Sequence, residues 1–237
     1  MAAETSGLSP SVEDYLKAIY SLCESGETAS TSAIAEELAV QPASVTGMVK
    51  RLAESGHLEH VPYRGVKLTE AGALAALRVL RRHRILETYL TQRLGYRWED
   101  VHGEAERLEH AASDDLIERM ATALGDPSHD PHGAPIPSRS GEVEPTDPFS
   151  LADMSPGEEA NVRAVRDDDS AGLLAVEAAG LLPGTRVHVI GRKSNPPGLR
   201  VLVEGGDDRP ALEVALDVAR RVYVIPLQNG ATGEDEP

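Results

Sequence analysis

Residues 102–110, HGEAERLEH, combine two imidazoles and three carboxylates, the side chains that bind first-row divalent metals. We predict one helix over residues 101–124, because this stretch has no proline and repeats small or apolar residues at helical spacing. At about 100° per residue, four of its polar side chains share one helix face: His102, Glu106, Glu109 and His110. This convergence is what a metal site requires, although for the segment taken alone a solvated acidic surface with two incidental histidines is the preferred interpretation.

The length of 237 residues is sufficient for two or three small domains. Their cores must be mainly aliphatic, since aromatic residues make up only 3% of the chain. No apolar run approaches the roughly 20 residues that span a bilayer, and the N-terminus lacks a signal pattern. With Cys23 as its single cysteine, the chain cannot form an internal disulfide or a thiolate metal cluster. We expect a cytoplasmic protein with no membrane partner.

The formal net charge of −16 does not exclude binding to nucleic acid, because the acidic residues are unevenly distributed. Residues 1–82 carry 8 basic and 10 acidic side chains, so most of the excess negative charge lies after them. A locally basic face in the N-terminal third can therefore bind DNA, with an affinity that depends steeply on salt.

The first 75 residues predict three helices followed by a hairpin. The second helix, in TSAIAEELAV, is joined by a tight turn to a third that begins near Pro42, a residue suited to the first turn of a helix. Two strands then flank Tyr63, Arg64 and Gly65 and form a wing. This order is typical of a winged helix-turn-helix and is more specific than a generic three-helix bundle.

The rest of the chain predicts a helical region and then a small β-domain. A long helix beginning near residue 68 carries His83 and Glu87 at i,i+4 on one face. The segment SHDPHGAPIPSRSGEVEPTDPF is rich in proline, glycine and serine, as linkers are. Short alternating strands follow, with one helix at AGLLAVEAAG, and together they predict an SH3-like barrel.

The predicted fold class is therefore α+β. Its predicted parts are a winged helix-turn-helix domain at 1–75, a helical dimerisation and metal-binding domain at 76–140, a linker at 141–153, an SH3-like domain at 154–227 and a disordered tail at 228–237.

In this combination, the chain resembles the diphtheria-toxin-repressor family of metal-dependent transcriptional regulators over about residues 8–226. The motifs that carry the resemblance are EDYLKAIY at 13–20, LAVQPASVTGMVKRLAESGHL at 38–58, YRGVKLTEAG at 63–72, RRHRILETYL at 81–90, VHGEAERLEH at 101–110 and DPHGAPIP at 130–137. The resemblance implies a FeoA-like character for the barrel.

The resemblance implies a primary metal site made of Asp14, Glu106, Glu109 and His110. The iron-type branch has methionine at the position of Asp14 and cysteine at that of Glu106, so this chain resembles the manganese-type branch, the manganese transport regulators. Carboxylates are hard ligands, which agrees with Mn(II) as the effector and Fe(II) as the alternative. Co(II), Ni(II), Zn(II) and Cd(II) are expected to bind in vitro.

The resemblance also implies a second site, in which His83 and Glu87 combine with His102 or with Asp130 and His132. A carboxylate of the barrel, from the run at 167–169, would complete this site, and Asp168 is our choice within the run. Small two-domain members place a glutamate near Lys17, so a closely spaced dinuclear site is not expected here.

For DNA, the third helix is predicted to enter the major groove with its N-terminal end, and the wing to reach phosphate or the minor groove. The predicted contact residues are Gln41, Pro42, Ala43, Ser44, Thr46, Lys50, Arg51 and Arg64. For Thr46 a packing role is the alternative, and for Arg51 a solvated charge.

These observations predict a homodimeric DNA-binding regulator, dependent on Mn(II) or alternatively on Fe(II), that represses metal-uptake genes when metal is replete. The apolar helix faces around 84–94 and 108–124 are predicted to form the dimer, since two DNA half-sites demand a two-fold protein. One alternative is a winged-helix regulator with a purely structural metal. The other is a dinuclear metallohydrolase, for which no nucleophile is evident, so the prediction is a protein that is not an enzyme.

Overall fold

The computed structural model describes residues 8–23, 28–145, 149–167, 169–204 and 211–227. The chain divides into two compact units, and the boundary falls inside one long helix, after Leu86. The first unit comprises Met1–Leu86, Ala105–Ser128 and Ile136–Glu144, and the second comprises Glu87–Glu104, His129–Pro135 and Pro145–Pro237.

The first unit begins with the predicted winged helix-turn-helix, which the structure confirms. Its elements are α1 (Pro10–Cys23), α2 (Thr31–Glu37), α3 (Pro42–Glu54), β1 (Leu58–Val61) and β2 (Gly65–Leu68). The Ser30 side chain caps α2 by accepting a hydrogen bond from the Ala33 amide, and Pro42 occupies the first turn of α3. The helices and the hairpin enclose an aliphatic core that includes Leu16, Ile19, Ile34, Val45, Leu52 and Val66.

The hairpin that forms the wing lies against Ala29, shortly before α2, through a close backbone approach. Strands β1 and β2 pair antiparallel, with Leu58 opposite Leu68. Gly65 has φ +120°, and a Cβ there would lie 2.2 Å from the carbonyl oxygen of Ala29. At the tip, Tyr63 adopts a left-handed conformation (φ 64°) with its ring fully exposed. Only glycine at position 65 leaves room for this approach to Ala29.

Three more helices follow: α4 (Glu70–Leu94), α5 (Val101–Glu109) and α6 (Asp114–Leu124). The prediction of one continuous helix over 101–124 is wrong. The chain leaves the helix after Glu109, and Ser113 starts α6 by accepting a hydrogen bond from the Leu116 amide with its side chain. In the first unit, Ile85 packs with Ala105, Ile117 and neighbouring apolar residues in a small core.

The second unit contains a five-stranded antiparallel sheet in the order β6-β5-β4-β3-β7. Its elements are a 3-10 turn (Leu151–Asp153), β3 (Glu159–Val165), α7 (Ser170–Ala178), β4 (Arg186–Ser194), β5 (Pro197–Val203), β6 (Leu212–Ala215), α8 (Leu216–Ala219) and β7 (Val222–Pro226). This is the predicted SH3-like domain, with β6 and α8 as elements that the sequence did not predict.

The core of the sheet domain extends into the range predicted as a linker, because Leu151 and Ala152 are buried in it. The predicted tail at 228–237 lies outside the described residues. Within the part of the chain that the structure describes, no helix has both the length and the apolar character that a membrane crossing requires.

Candidate metal centres

One group of potential ligands lies in the first unit, where α1 meets the end of α5. It consists of Asp14, Glu109 and His110, whose donor atoms all lie within 4.8 Å of one another. His110 Nε2 is 2.8 Å from Asp14 Oδ1 and 3.5 Å from Glu109 Oε1. Two carboxylates and one imidazole nitrogen thus face a common point, an arrangement that suits a divalent cation.

The ring of His110 is oriented from its other side by Glu13, a residue that the sequence did not single out. His110 Nδ1 lies 2.7 Å from Glu13 Oε2, and the other oxygen of Glu13 accepts a 2.5 Å hydrogen bond from Arg82. Because an ionised carboxylate only accepts, Nδ1 carries the proton and Nε2 is directed at Asp14. Carboxylates commonly hold metal-binding histidines in this way.

Glu109 is completely buried and pairs with two potential cations. Its Oε2 lies 2.5 Å from His83 Nδ1, and its Oε1 accepts a 2.6 Å hydrogen bond from Lys17 Nζ. Burial alone would raise the pKa of Glu109, but the hydrogen bond and charge of His83, together with Lys17, outweigh burial and hold this pKa below its usual range. Glu109 is therefore ionised at neutral pH.

Among the residues predicted as ligands, Glu106 is placed differently from the sequence-based expectation, and His83 has a contact that the sequence did not predict. Glu106 does not join the compact group: its side chain is 52% exposed, and its Oε1 lies 3.7 Å from Lys17 Nζ. His83, predicted for the second site, contacts Glu109 within the first unit. Both assignments as metal ligands remain predictions.

A second group lies in the second unit and joins α4, α5, the 129–135 loop and the end of β3. His102 Nδ1 is 3.2 Å from Glu87 Oε1 and 3.5 Å from Asp167 Oδ2. His132 Nδ1 faces the same two carboxylates, at 3.9 Å from Glu87 Oε2 and 3.7 Å from Asp167 Oδ2. His102 and the linker residues were predicted as alternative ligands of the second site. In the structure, His102 and His132 face the same two carboxylates.

His132 is fully buried and has its ring nitrogens in contrasting surroundings. Nε2 lies 2.7 Å from the Trp98 carbonyl oxygen and must donate to it, while Nδ1 makes no hydrogen bond among the described residues. Burial alone would lower the pKa of His132, but Glu87, Asp167 and Asp130 outweigh it and raise this pKa to about 9. A cation bound at Nδ1 would replace the proton that these carboxylates attract, so the donor set fits a metal.

The loop that carries Asp130 and His132 is held by backbone contacts. Asp130 Oδ1 accepts hydrogen bonds from the amides of His132 (2.8 Å) and Ala134 (2.9 Å). Gly133 has φ +86°, and a Cβ there would lie 2.1 Å from the Arg163 carbonyl oxygen on β3. Donor atoms of Asp130, His132 and Glu87 lie within 4.8 Å of one another, so this loop supplies two candidate ligands.

Within the acidic run at 167–169, the structure brings Asp167 to the second group. Burial alone would raise the pKa of Asp167, but its hydrogen bond to His102 and the charge of His132 hold this pKa below its usual range. Asp169 caps α7 through the Gly172 amide (2.6 Å) and pairs with Arg221. Asp168, our choice from the sequence, lies outside the described residues.

Helix α3 presents one buried and one exposed face. Val45, Val49 and Leu52 are buried in the core of the domain. The predicted DNA contacts on this helix are all exposed: Gln41, Pro42, Ala43, Ser44, Thr46, Lys50 and Arg51. The hydroxyl of Thr46 bonds the Pro42 carbonyl at 3.1 Å, and Arg64 is exposed at the wing beside Tyr63.

Family models match nearly the whole chain. The iron dependent repressor N-terminal DNA binding domain matches residues 7–66, and the metal binding and dimerisation domain of the same family matches residues 69–138. The FeoA domain matches residues 149–226.

Individual relatives agree with these matches. The iron-dependent repressor IdeR of Mycobacterium tuberculosis is 40% identical over 53% of this chain, and the match spans only 54% of that relative. The diphtheria toxin repressor of Corynebacterium efficiens is 32% identical over 90% of this chain and 94% of its own. A solved manganese-dependent transcriptional repressor in complex with manganese is 35% identical, with a TM-score of 0.83 over 91% of this chain and 100% of that one. The chain therefore belongs to the diphtheria-toxin-repressor family, whose members are metal-dependent transcriptional repressors and not enzymes.

Proposed function

We propose that this chain is a Mn(II)-activated repressor that binds operator DNA as a homodimer. The observation that carries the proposal is the chemistry of the two donor groups, which contain only carboxylate oxygens and imidazole nitrogens. Cys23, the single cysteine, belongs to neither group and lies 4.0 Å from the Val66 carbonyl oxygen.

The donor set supports Mn(II) over Fe(II) as the effector. The names of the relatives include both an iron-dependent and a manganese-dependent repressor. The choice between the two metals therefore rests on the chemistry of the ligand atoms. Hard oxygen ligands suit Mn(II), whereas a thiolate would favour softer metals. Asp14, Glu109 and His110 would hold the metal of the primary site. Glu87, His102, Asp130, His132 and Asp167 would hold that of the second.

The metal would supply positive charge that joins α1 to the end of α5 through Asp14, Glu109 and His110. Helix α1 packs through Leu16 and Ile19 into the same core as α3. Restricting α1 therefore restricts the recognition helix as well, and this is how metal binding would favour one DNA-binding arrangement. A ligand changes such an equilibrium only by its differential affinity for the two states, which here comes from bringing the carboxylates and the imidazole together.

The residues that we propose to contact DNA lie at an exposed helix end and on an exposed wing. Gln41 and Ala43 at the start of α3 would meet base edges, and Lys50 would meet phosphate. Arg64 would add a contact from the wing. The dimerisation domain of the family supports a homodimer, which would read two half-sites one helical turn or a multiple apart.

The test is a titration of operator affinity against free Mn(II) and, under anaerobic conditions, free Fe(II). The metal-free protein and Glu109→Gln should bind weakly, whereas micromolar Mn(II) should strengthen binding by the wild type about 100-fold, a typical size for coupling between sites. Glu177→Gln, which changes an exposed acid on α7, serves as the matched control and should respond like the wild type.

Glu106→Gln belongs in the same series, because Glu106 was predicted as a ligand but lies outside the compact group. A response equal to that of Glu109→Gln would return Glu106 to the primary site. Operator binding that is unchanged by a chelator would overturn the proposed function. Activation by Fe(II) at lower free concentrations than Mn(II) would overturn only the choice of metal.

A further inference from the structure

The primary donor group contains a cation of its own, the ammonium of Lys17. Lys17 follows Asp14 by three residues on α1, so the two side chains share a helix face. Its Nζ lies 2.6 Å from Glu109 Oε1 and 3.7 Å from Glu106 Oε1. Lys17 thus bridges two of the carboxylates that the sequence predicts as metal ligands.

The ammonium and a metal would compete for the same oxygen atom. Glu109 Oε1 is the oxygen that lies 3.5 Å from His110 Nε2, on the side of the group that also faces Asp14. The other oxygen, Oε2, is held by His83 at 2.5 Å. A metal bound through Oε1 by Asp14, Glu109 and His110 would place a second positive charge within contact distance of the ammonium, so we expect repulsion between the two cations to displace Lys17 from this oxygen.

Burial makes the contact between Lys17 and Glu109 strong. The Glu109 side chain is 0% exposed and that of Lys17 is 19% exposed, so solvent screens the pair poorly. A buried carboxylate that loses its positive partner is strongly destabilised, whereas a surface ion pair contributes little. The pair thus keeps Glu109 charged and in position when no metal is bound.

We propose that Lys17 is an internal counter-cation that holds Glu109 Oε1 in the metal-free protein and raises the metal concentration needed for activation. The inference rests on the proposed function, because it takes Asp14, Glu109 and His110 as the primary site. Metal binding displaces the ammonium from Oε1, and part of the metal's binding free energy is used to break that contact. Lys17 thus positions Glu109 in the metal-free protein and competes with the metal for Glu109 when metal binds.

The experiment compares the full-length wild type with Lys17→Met by calorimetric titration with Mn(II) at constant pH and salt. The binding event of the primary site is the one that Asp14→Asn removes. Lys17→Met should bind Mn(II) at that site about tenfold more tightly, the effect of one lost hydrogen bond to a charged group. Its metal-free form should unfold at a lower temperature than the wild type, and saturating Mn(II) should remove most of that difference.

Lys67→Met is the matched control, since it removes an exposed lysine of the same domain whose partner, Glu59, is equally exposed. It should leave both the Mn(II) affinity and the unfolding temperature near those of the wild type. Lys17→Gln keeps a hydrogen-bond donor without the charge and should also bind Mn(II) more tightly, so the test remains decisive if Lys17→Met fails to fold.

Unchanged or weaker Mn(II) affinity in the Lys17 variants would overturn the proposal, as would an equal gain in Lys67→Met. These outcomes leave the proposed function intact if operator binding still responds to metal. Conversely, tighter Mn(II) binding in Lys17→Met without any metal response of operator binding would support the role of Lys17 and overturn the proposed function.

Discussion

At the scale of single residues, the candidate ligands are paired with groups of opposite charge before a metal arrives. Glu109 contacts Lys17 and His83, and His132 faces Glu87 and Asp167. Buried charges require such partners, because isolated charges are poorly solvated inside a protein. Metal affinity at each site therefore depends on the difference in free energy between the contacts made with the metal and the contacts that the metal replaces.

His132 makes this competition dependent on pH. Its pKa is raised from 6.5 to about 9 by the surrounding carboxylates, so the metal-free protein holds a proton there at neutral pH. A metal at Nδ1 must displace that proton. We predict that second-site binding releases about one proton at pH 7, about half a proton at pH 9 and little at about pH 10, and that affinity rises with pH over this range.

Calorimetry in buffers of different ionisation enthalpy measures this proton release. His132→Gln should abolish it, whereas His60→Gln, which changes an exposed histidine on β1, should not. The sign for metal-free stability is opposite: the contribution of charged His132 is complete below pH 6.5 and is lost as pH rises through about 9. Metal binding that is independent of pH between 7 and 9 would contradict this account.

At the scale of elements, the second group depends on how closely the 129–135 loop approaches β3. His132 accepts a 2.8 Å hydrogen bond from the Val165 amide with its carbonyl oxygen, and Gly133 passes directly over Arg163. The ring of His132 also stacks on Trp98, with 5.4 Å between ring centroids. Trp98 is the only tryptophan in the chain, so its fluorescence can report events at this site.

We predict that Gly133→Ala will displace the loop, because the new Cβ would lie 2.1 Å from a backbone oxygen that has no freedom to rotate away. The expected loss is about 2–4 kcal/mol in the free energy of unfolding, together with weaker Mn(II) binding detected through Trp98. Gly157→Ala has a similar positive φ of +93° but open space around its Cβ, so it isolates the cost of the backbone conformation alone. Equal losses in the two variants would show that the close approach is unimportant.

At the scale of the whole molecule, a chain with a net charge of −16 must bind a polyanion. This is possible only if local positive charge dominates at the contact, as the exposed Lys50, Arg51 and Arg64 allow. Long-range repulsion between the acidic remainder of the protein and DNA is screened by salt, whereas direct phosphate contacts are weakened by it. The salt dependence of affinity therefore reveals how many phosphates are held.

We predict that Arg64→Ala will weaken binding to operator and to unrelated DNA by a similar factor. The slope of log affinity against log salt concentration should fall by about 0.9 if Arg64 neutralises one phosphate. Arg119→Ala, which changes an exposed arginine on α6 paired with Asp115, should leave the slope unchanged. A loss confined to operator DNA would mean that Arg64 reads bases or groove shape.

The sequence by itself was sufficient for those properties that depend on residue type and short spacing. Helical periodicity predicted the long helix α4, and Pro42 marked the start of the recognition helix. Alternating apolar residues predicted four of the five strands of the sheet, but β6, only four residues long, carries too weak a pattern. Such signals are local, because side chains three or four residues apart on a helix, or two apart on a strand, necessarily share a face.

Only the tertiary structure decided which side chains meet across long stretches of sequence. Lys17 and Glu109 are 92 residues apart, and Glu13 and His110 are 97 residues apart, so nothing local links them. Three consecutive aspartates at 167–169 are indistinguishable by type, and the end of β3 and the start of α7 determine that Asp167 faces the second group while Asp169 caps a helix. Ligand chemistry follows from residue type, but the choice among ligands follows from packing, because contact requires that whole elements be brought together.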